Sequence, residues 1–343
     1  MMAFDFKTII KGIFIAFCIF VVILLLVEVA DRALFRPKSI FGRTVREFEK
    51  EKSEVQILFV GQSDMKRAVI PDIMSFKAYN FAELGESFIE TYFKLKYYID
   101  DMPRLKVIVL PLTLASFSSF RTNRIGTKYY SYGYISYRDL WELYQIKGPL
   151  VIGQKLMSLS PLLDREGLTT FWKNVRRLIK GQPIERAILQ EGYHLLTMKG
   201  IVNENSARRR IQLHFQGQDI FDKDLFLYFE KILTLCQKRG IKVVTLTTPV
   251  TDDYIKHAEK FITKSALYEK VFMNQKFHPY IFKHLDYLDF HAKDHTLFVD
   301  ADHLSHEGAM LFSKQVAPEL SRVMEEIKKG SLTGRCPVPP IAG

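Results

Sequence analysis

The chain opens on an uninterrupted apolar pattern. From Gly12 to Val27 (GIFIAFCIFVVILLLV) no residue is charged, and the run is flanked by Lys11 and Glu28. Sixteen helical residues at about 1.5 Å each reach about 24 Å, somewhat less than a hydrocarbon core of about 30 Å. Ile9 and Ile10 lengthen the run, and Lys11 can extend its charged end to the interface. A buried core helix would keep a polar face, and a cleaved signal peptide would show a small-residue cleavage site after Leu26. Neither feature is present, so residues 1–30 read as a retained transmembrane anchor.

The pattern then changes character. Residues 31–54 are densely charged and read as a juxtamembrane linker or short helix. Beyond them, compact apolar runs alternate with amphipathic stretches. Val55–Gly61, Ala78–Phe81, Leu105–Leu114 and Ile241–Thr248 read as strands, and Ser87–Ile99 and Leu225–Arg239 as helices, the latter stopped by Gly240. Strands alternating with helices predict an α/β domain over residues 55–325, with a mostly parallel sheet covered on both faces. From about 118 to 215 the alternation fails, which predicts an insertion or cap. Residues 326–343 read as a tail, with Cys336 in its Pro-rich part.

Composition narrows the partners. The 343 residues carry 49 Lys and Arg against 38 Asp and Glu, a formal charge of +11. That excess suits phospholipid headgroups or an anionic envelope polymer; nucleic acid fits the charge alone, and no nucleic-acid-binding motif accompanies it. Three scattered cysteines exclude a disulfide framework and a zinc site. Five tyrosines in Lys128–Tyr137, among them Tyr129, Tyr130 and Tyr132, offer a surface on which sugar rings could stack, or else pack an irregular subdomain. Orientation is contested by the charges around the first helix. Lys7 and Lys11 precede it while Arg32, Arg36, Lys38, Arg43 and Arg46 follow, which by the positive-inside rule turns the long part inward.

The chemistry gathers at two places. The first strand ends in Gly61-Gln62-Ser63-Asp64, where a strand-to-helix junction can project a hydroxyl, although a serine there is commonly a helix cap. Near the far end, Asp300-Ala301-Asp302-His303 precedes another helix. Asp300 can accept a hydrogen bond from His303 Nδ1 and leave Nε2 to take a proton from a serine, which is a poor nucleophile without such a base. The competing readings are an acidic turn capping the helix near Ser305, and a metal loop that lacks a clear fourth ligand. His291, His295 and His306 are alternative bases, but none has an Asp three residues earlier.

Together, GQS near the start and DADHLSHEGAMLFS near the end resemble the SGNH/GDSL hydrolase superfamily. With the N-terminal anchor and YNFAELGES, the chain is similar to its envelope acyl-transfer branch, which includes the lipoteichoic acid D-alanylation proteins. The resemblance covers most of residues 55–115 and 225–320. It implies a flavodoxin-like three-layer α/β fold and a cofactor-free, metal-free triad: Ser63 as nucleophile, His303 as base and Asp300 as its orienting carboxylate. It further implies an oxyanion hole from the Ser63 and Gly85 backbone, with Thr113 where the superfamily places an asparagine. Losing that amide donor would cost about 3 kcal/mol, which suits slow hydrolysis. The resemblance implies an acyltransferase or esterase on the outer side of a bacterial membrane, acting on an envelope glycan or polymer. A membrane-bound O-acyltransferase is the implied partner. The rival expectation is a non-catalytic binding or assembly subunit that keeps the fold.

Overall fold

The computed structural model describes residues 6–122, 125–184, 188–195 and 202–330. The chain forms two compact units, one from Met1–Arg43 with Thr127–Arg186, the other from Thr44–Gly126 with Ala187–Gly343.

The second unit is an α/β domain. Its sheet contains β1 (Ile57–Phe59), β2 (Ala78–Asn80), β3 (Val107–Pro111), β4 (Lys242–Thr247) and β5 (Ile281–Asp286), all parallel, in the order β2-β1-β3-β4-β5. In this flavodoxin-like order, β1 and β3 are neighbours at the point where the winding reverses, the place where open α/β sheets collect functional groups at the strands' carboxyl ends. The four strands expected from sequence are present. The fifth, β5, escaped because IFKHLD buries only Ile281 and Leu285 and lies at the sheet edge, so no continuous apolar run marks it.

Strand alternation divides the core. Ile57, Phe59, Val107, Val109, Val244 and Leu246 share a cluster with Ala309, Phe312, Val316 and Leu320 of the long helix His306–Lys328. Leu58, Ile108, Leu110 and Val243 turn to the other face. The helices Phe88–Tyr98 and Lys223–Lys238 pair through Phe88–Phe229 and Phe93–Tyr228 ring contacts. A capping box between Ser87 and Glu90 starts the first of these helices.

The other unit contains the apolar helix, which runs from Phe6 to Ala30. Its 25 residues reach about 37 Å, long and apolar enough to cross a membrane. It continues through a π-helical turn, Asp31–Phe35, that sets Phe35 edge-on to Phe171 at 5.3 Å. The segment read as a linker is thus largely helical, continuing in Ile40–Glu51. Two of the five cations that follow the run, Arg32 and Arg36, are held in ion pairs with Glu28 and Asp31.

Two expectations change here. The inserted stretch is shorter than 118–215: residues 127–184 join the N-terminal helix, while Glu204–Phe215 belongs to the α/β unit. Tyr129 and Tyr130 do not form a stacking surface, being only 1% and 2% exposed. Phe41 draws the tyrosines into an aromatic cluster, with Tyr129 at 5.8 Å, Tyr132 at 4.9 Å and Tyr134 at 6.3 Å. Tyr132 is half-buried and lines a cavity of about 360 Å³ within this unit. Of the expected tail, 326–328 complete the last helix and 331–343 lie outside the described residues.

Candidate active site

The turn after β1 is built around a glycine. Gly61 has φ +106°, and a Cβ there would meet Pro111 Cγ at 2.5 Å, so only glycine fits between β1 and the end of β3. The chain then enters the short helix Ser63–Ala68. Asn80 Nδ2 donates to Met65 O and Val69 O, both at 2.9 Å, and Ile70 N donates to Ser313 Oγ. The carbonyl end of the helix is thereby fixed from two sides. Ser63 occupies its first position, while Gln62 is the cap residue. The Ser63 hydroxyl is directed at His303, not at the helix backbone: Oγ lies 2.8 Å from His303 Nε2.

His303 comes from a two-strand ladder, Phe298–Asp300 with His303–Leu304, in which Asp300 and His303 are direct antiparallel partners. Asp300 and His303 therefore face each other across a two-residue turn. Nδ1 of His303 lies 2.8 and 2.9 Å from the two Asp300 oxygens. The ring is buried, whereas Asp300 is half-exposed. The capping role belongs to Ser305, whose hydroxyl accepts from Gly308 N. The structure thus brings Ser63 together with His303 and Asp300, which lie some 240 positions further along the chain. His306 bonds Tyr193 and His295 bonds Asp252, so neither shares in this relay.

Asp302 has a different task. It forms a bidentate pair with Arg210, Nε and Nη2 each at 2.6 Å, and its nearest oxygen is 3.7 Å from His303 Nδ1. Burial works against its charge, but His303, His214 and the Arg210 guanidinium outweigh it and hold the carboxyl far below its ordinary range. His214 behind it is pushed down to about 3 by burial and donates or accepts at Tyr254 OH, 2.7 Å away. Sequence reasoning missed Arg210, because ARRR within an amphipathic helix carries no signal that one of its arginines faces inward. Arg67, one helical turn after Ser63, and Arg121, after β3, were also missed. Burial lowers the pKa of both, opposed chiefly by Asp300 for Arg67 and by Asp64 for Arg121.

The expected oxyanion donors are placed as follows. Ser63 N–H belongs to the first helical turn, whose amides have no acceptor within the helix. Gly85 is exposed, with φ +71°, in the loop after β2. Two buried ion pairs brace that loop, Lys66 with Glu83 and Lys94 with Glu86, and Glu83 N donates to Gly61 O at 2.7 Å. The AELGES run is therefore tied directly to the serine turn. Thr113 is buried beside it, but its hydroxyl accepts from Gln62 Nε2 at 3.1 Å and lies 3.1 Å from Ser116 Oγ. Gln62 Nε2 also donates to Asp64 Oδ2 at 3.0 Å. As placed, Thr113 supports Gln62, and its hydroxyl stands where an amide would otherwise donate.

Metal ligation is chemically conceivable at Asp300, Asp302 and His303, whose donor atoms lie within 4.8 Å of one another. Asp302 would first have to leave Arg210, and His303 would have to leave Ser63 or Asp300. The arrangement present has the geometry of a proton relay, in which an imidazole can take a proton from a serine and pass it to a departing oxygen. In comparisons with known proteins, no family model matches this chain and no curated protein is significantly similar to it in sequence.

Proposed function

We propose that this chain is a membrane-anchored, SGNH-like serine acyltransferase or esterase of the bacterial cell envelope, its α/β unit on the outer side. The observation that carries the reading is the unbroken contact series from Ser63 Oγ through His303 to Asp300, at 2.8 Å on either side of the ring. Ser63 attacks an ester or thioester carbonyl as its proton passes to His303 Nε2. Asp300 stabilises the imidazolium, which then protonates the leaving group. The acyl-enzyme is resolved by a sugar hydroxyl or water, deprotonated by the same nitrogen. Amides of the Ser63 turn and Gly85 are the donors assigned to the oxyanion, with the Thr113 hydroxyl in place of the superfamily's asparagine amide. That favours a slow acyl-enzyme, which can wait for a polymer acceptor delivered with a membrane-bound O-acyltransferase partner.

The lack of an amide donor at Thr113, whose hydroxyl accepts from Gln62 and meets Ser116, favours a second reading, a non-catalytic assembly subunit. Exposure to an activated aryl acetate separates the two. An enzyme accumulates acetyl on the Ser63 peptide, read by mass spectrometry, and loses it with Ser63→Ala. A binding subunit is acetylated only at lysines, identically in both proteins.

A further inference from the structure

The inserted segment contains a stretch that is apolar and exposed at once. From Pro149 to Leu163 (PLVIGQKLMSLSPLL), Lys155 is the one charged residue. Leu150, Ile152, Leu156, Met157 and Leu159 are nevertheless 41 to 57% exposed. The helix Leu150–Met157 buries Val151 and Gln154 and leaves most of its remaining circumference uncovered. Water is a poor neighbour for such a surface.

Its place on the N-terminal helix says what the neighbour is. Ser160 Oγ donates to Leu24 O at 3.4 Å, and Pro161–Leu163 lies against the same helix. Leu24 belongs to the uncharged run, about 9 Å of helix rise before Ala30. Val21, Leu24 and Val27 are half-buried and share one face, whereas Gly12–Ile19 are bare on every side. A helix that seats its apolar run in hydrocarbon therefore carries the Ser160 turn down to the boundary between headgroups and acyl chains. The charge of the inserted segment agrees, with nine Lys and Arg against four Asp and Glu over residues 127–184.

We propose that residues 150–163 seat in the interfacial layer of the bilayer beside the N-terminal helix, so that the chain holds the membrane at two places. The occupant of the apolar face is lipid. The proposal requires the N-terminal helix to span, and is independent of the chemistry at Ser63.

The chain's two tryptophans, Trp141 and Trp172, both lie in the inserted segment. Replacing both with Phe gives a dark background in the full-length protein. Single tryptophans are then introduced as Phe17→Trp in the span, Leu159→Trp in the proposed seat and Met273→Trp, exposed on the α/β unit. Each protein is reconstituted into phosphatidylcholine–phosphatidylglycerol vesicles that contain both lipids brominated near the carbonyl end and lipids brominated near the methyl end of the acyl chain. Circular dichroism establishes that each is folded, and Leu156→Trp replaces any Leu159 variant that is not. The Phe17 and Leu159 reporters should lose most of their emission relative to unbrominated vesicles, with Met273→Trp unchanged. A Leu159 or Leu156 reporter quenched no more than Met273→Trp, with Phe17→Trp quenched, overturns the interfacial seat and leaves the span intact. A blue-shifted but unquenched reporter also overturns it, because the cover is then protein. An unquenched Phe17→Trp removes the span and the seat together.

Discussion

Replacing Asp300 by Asn tests which carboxylate serves His303. Nδ1 lies 2.8 Å from Asp300 and 3.7 Å from Asp302. With an effective dielectric constant of about 20, unit charges at those separations attract by about 6 and about 4–5 kcal/mol. The bidentate Arg210 cancels much of the Asp302 contribution but leaves that of Asp300 in place. Asn keeps the shape of Asp300, removes its charge and can turn its NH2 toward Nδ1. The ring proton then resides on Nε2, the nitrogen that must accept from Ser63. In serine triads the equivalent change costs about 10⁴ in kcat. Asp300→Asn should therefore lower the rate of serine acylation by about 10³–10⁴ without lowering the melting temperature, since Asp300 is half-exposed. Asp302→Asn should lower that rate by less than about tenfold, yet destabilise the fold by about 1–3 kcal/mol through the loss of the partly exposed Arg210 pair. The assay is the acylation rate with an activated aryl ester, with thermal melts of each purified protein. A folded Asp302→Asn protein that loses more activity than Asp300→Asn would refute the assignment.

Ser63→Ala, His303→Ala and the double variant should reduce acylation by similar factors, because the two groups act in one step; a double variant far worse than either single breaks that logic. Lys94→Met takes the buried ammonium away from Glu86, which keeps the Thr91 hydroxyl, and should cost about 3–5 kcal/mol in thermal or denaturant unfolding, part of it regained in Lys94→Met/Glu86→Gln. Burial pushes His284 down to about 4 although Asp286 lies near, so it stays neutral in the folded chain over a range where the unfolded chain binds a proton. This group should thus take away up to about 3 kcal/mol of stability as pH drops from about 6.5 toward 4, on top of a fall of the same sign from His214, so that His284→Gln lessens the slope of melts taken across the interval without abolishing it.

Much of the fold was legible because parallel strands buried on both faces spell themselves as apolar runs, as Val55–Gly61 and Leu105–Leu114 do. The triad residues could be named because a nucleophilic serine and a D-x-x-H pair are local patterns, although their meeting over 240 positions is a property of the sheet order. Arg210 was illegible, since its inward turn depends on where Glu204–Phe215 docks and not on its own neighbours. The tyrosines misled for a related reason. Aromatic density marks a sugar platform or a packed cluster equally well, and Phe41, from a distant segment, decides between them. Thr113 could be located from sequence, but its engagement by Gln62 could not.

The central claim is that His303 activates Ser63. Its most direct test is labelling of the detergent-solubilised full-length chain with a fluorophosphonate probe, beside Ser63→Ala and His303→Ala of equal melting temperature. The account predicts covalent labelling at Ser63 that disappears in both variants. Labelling that survives in folded His303→Ala, or its absence from the folded native chain, would contradict it.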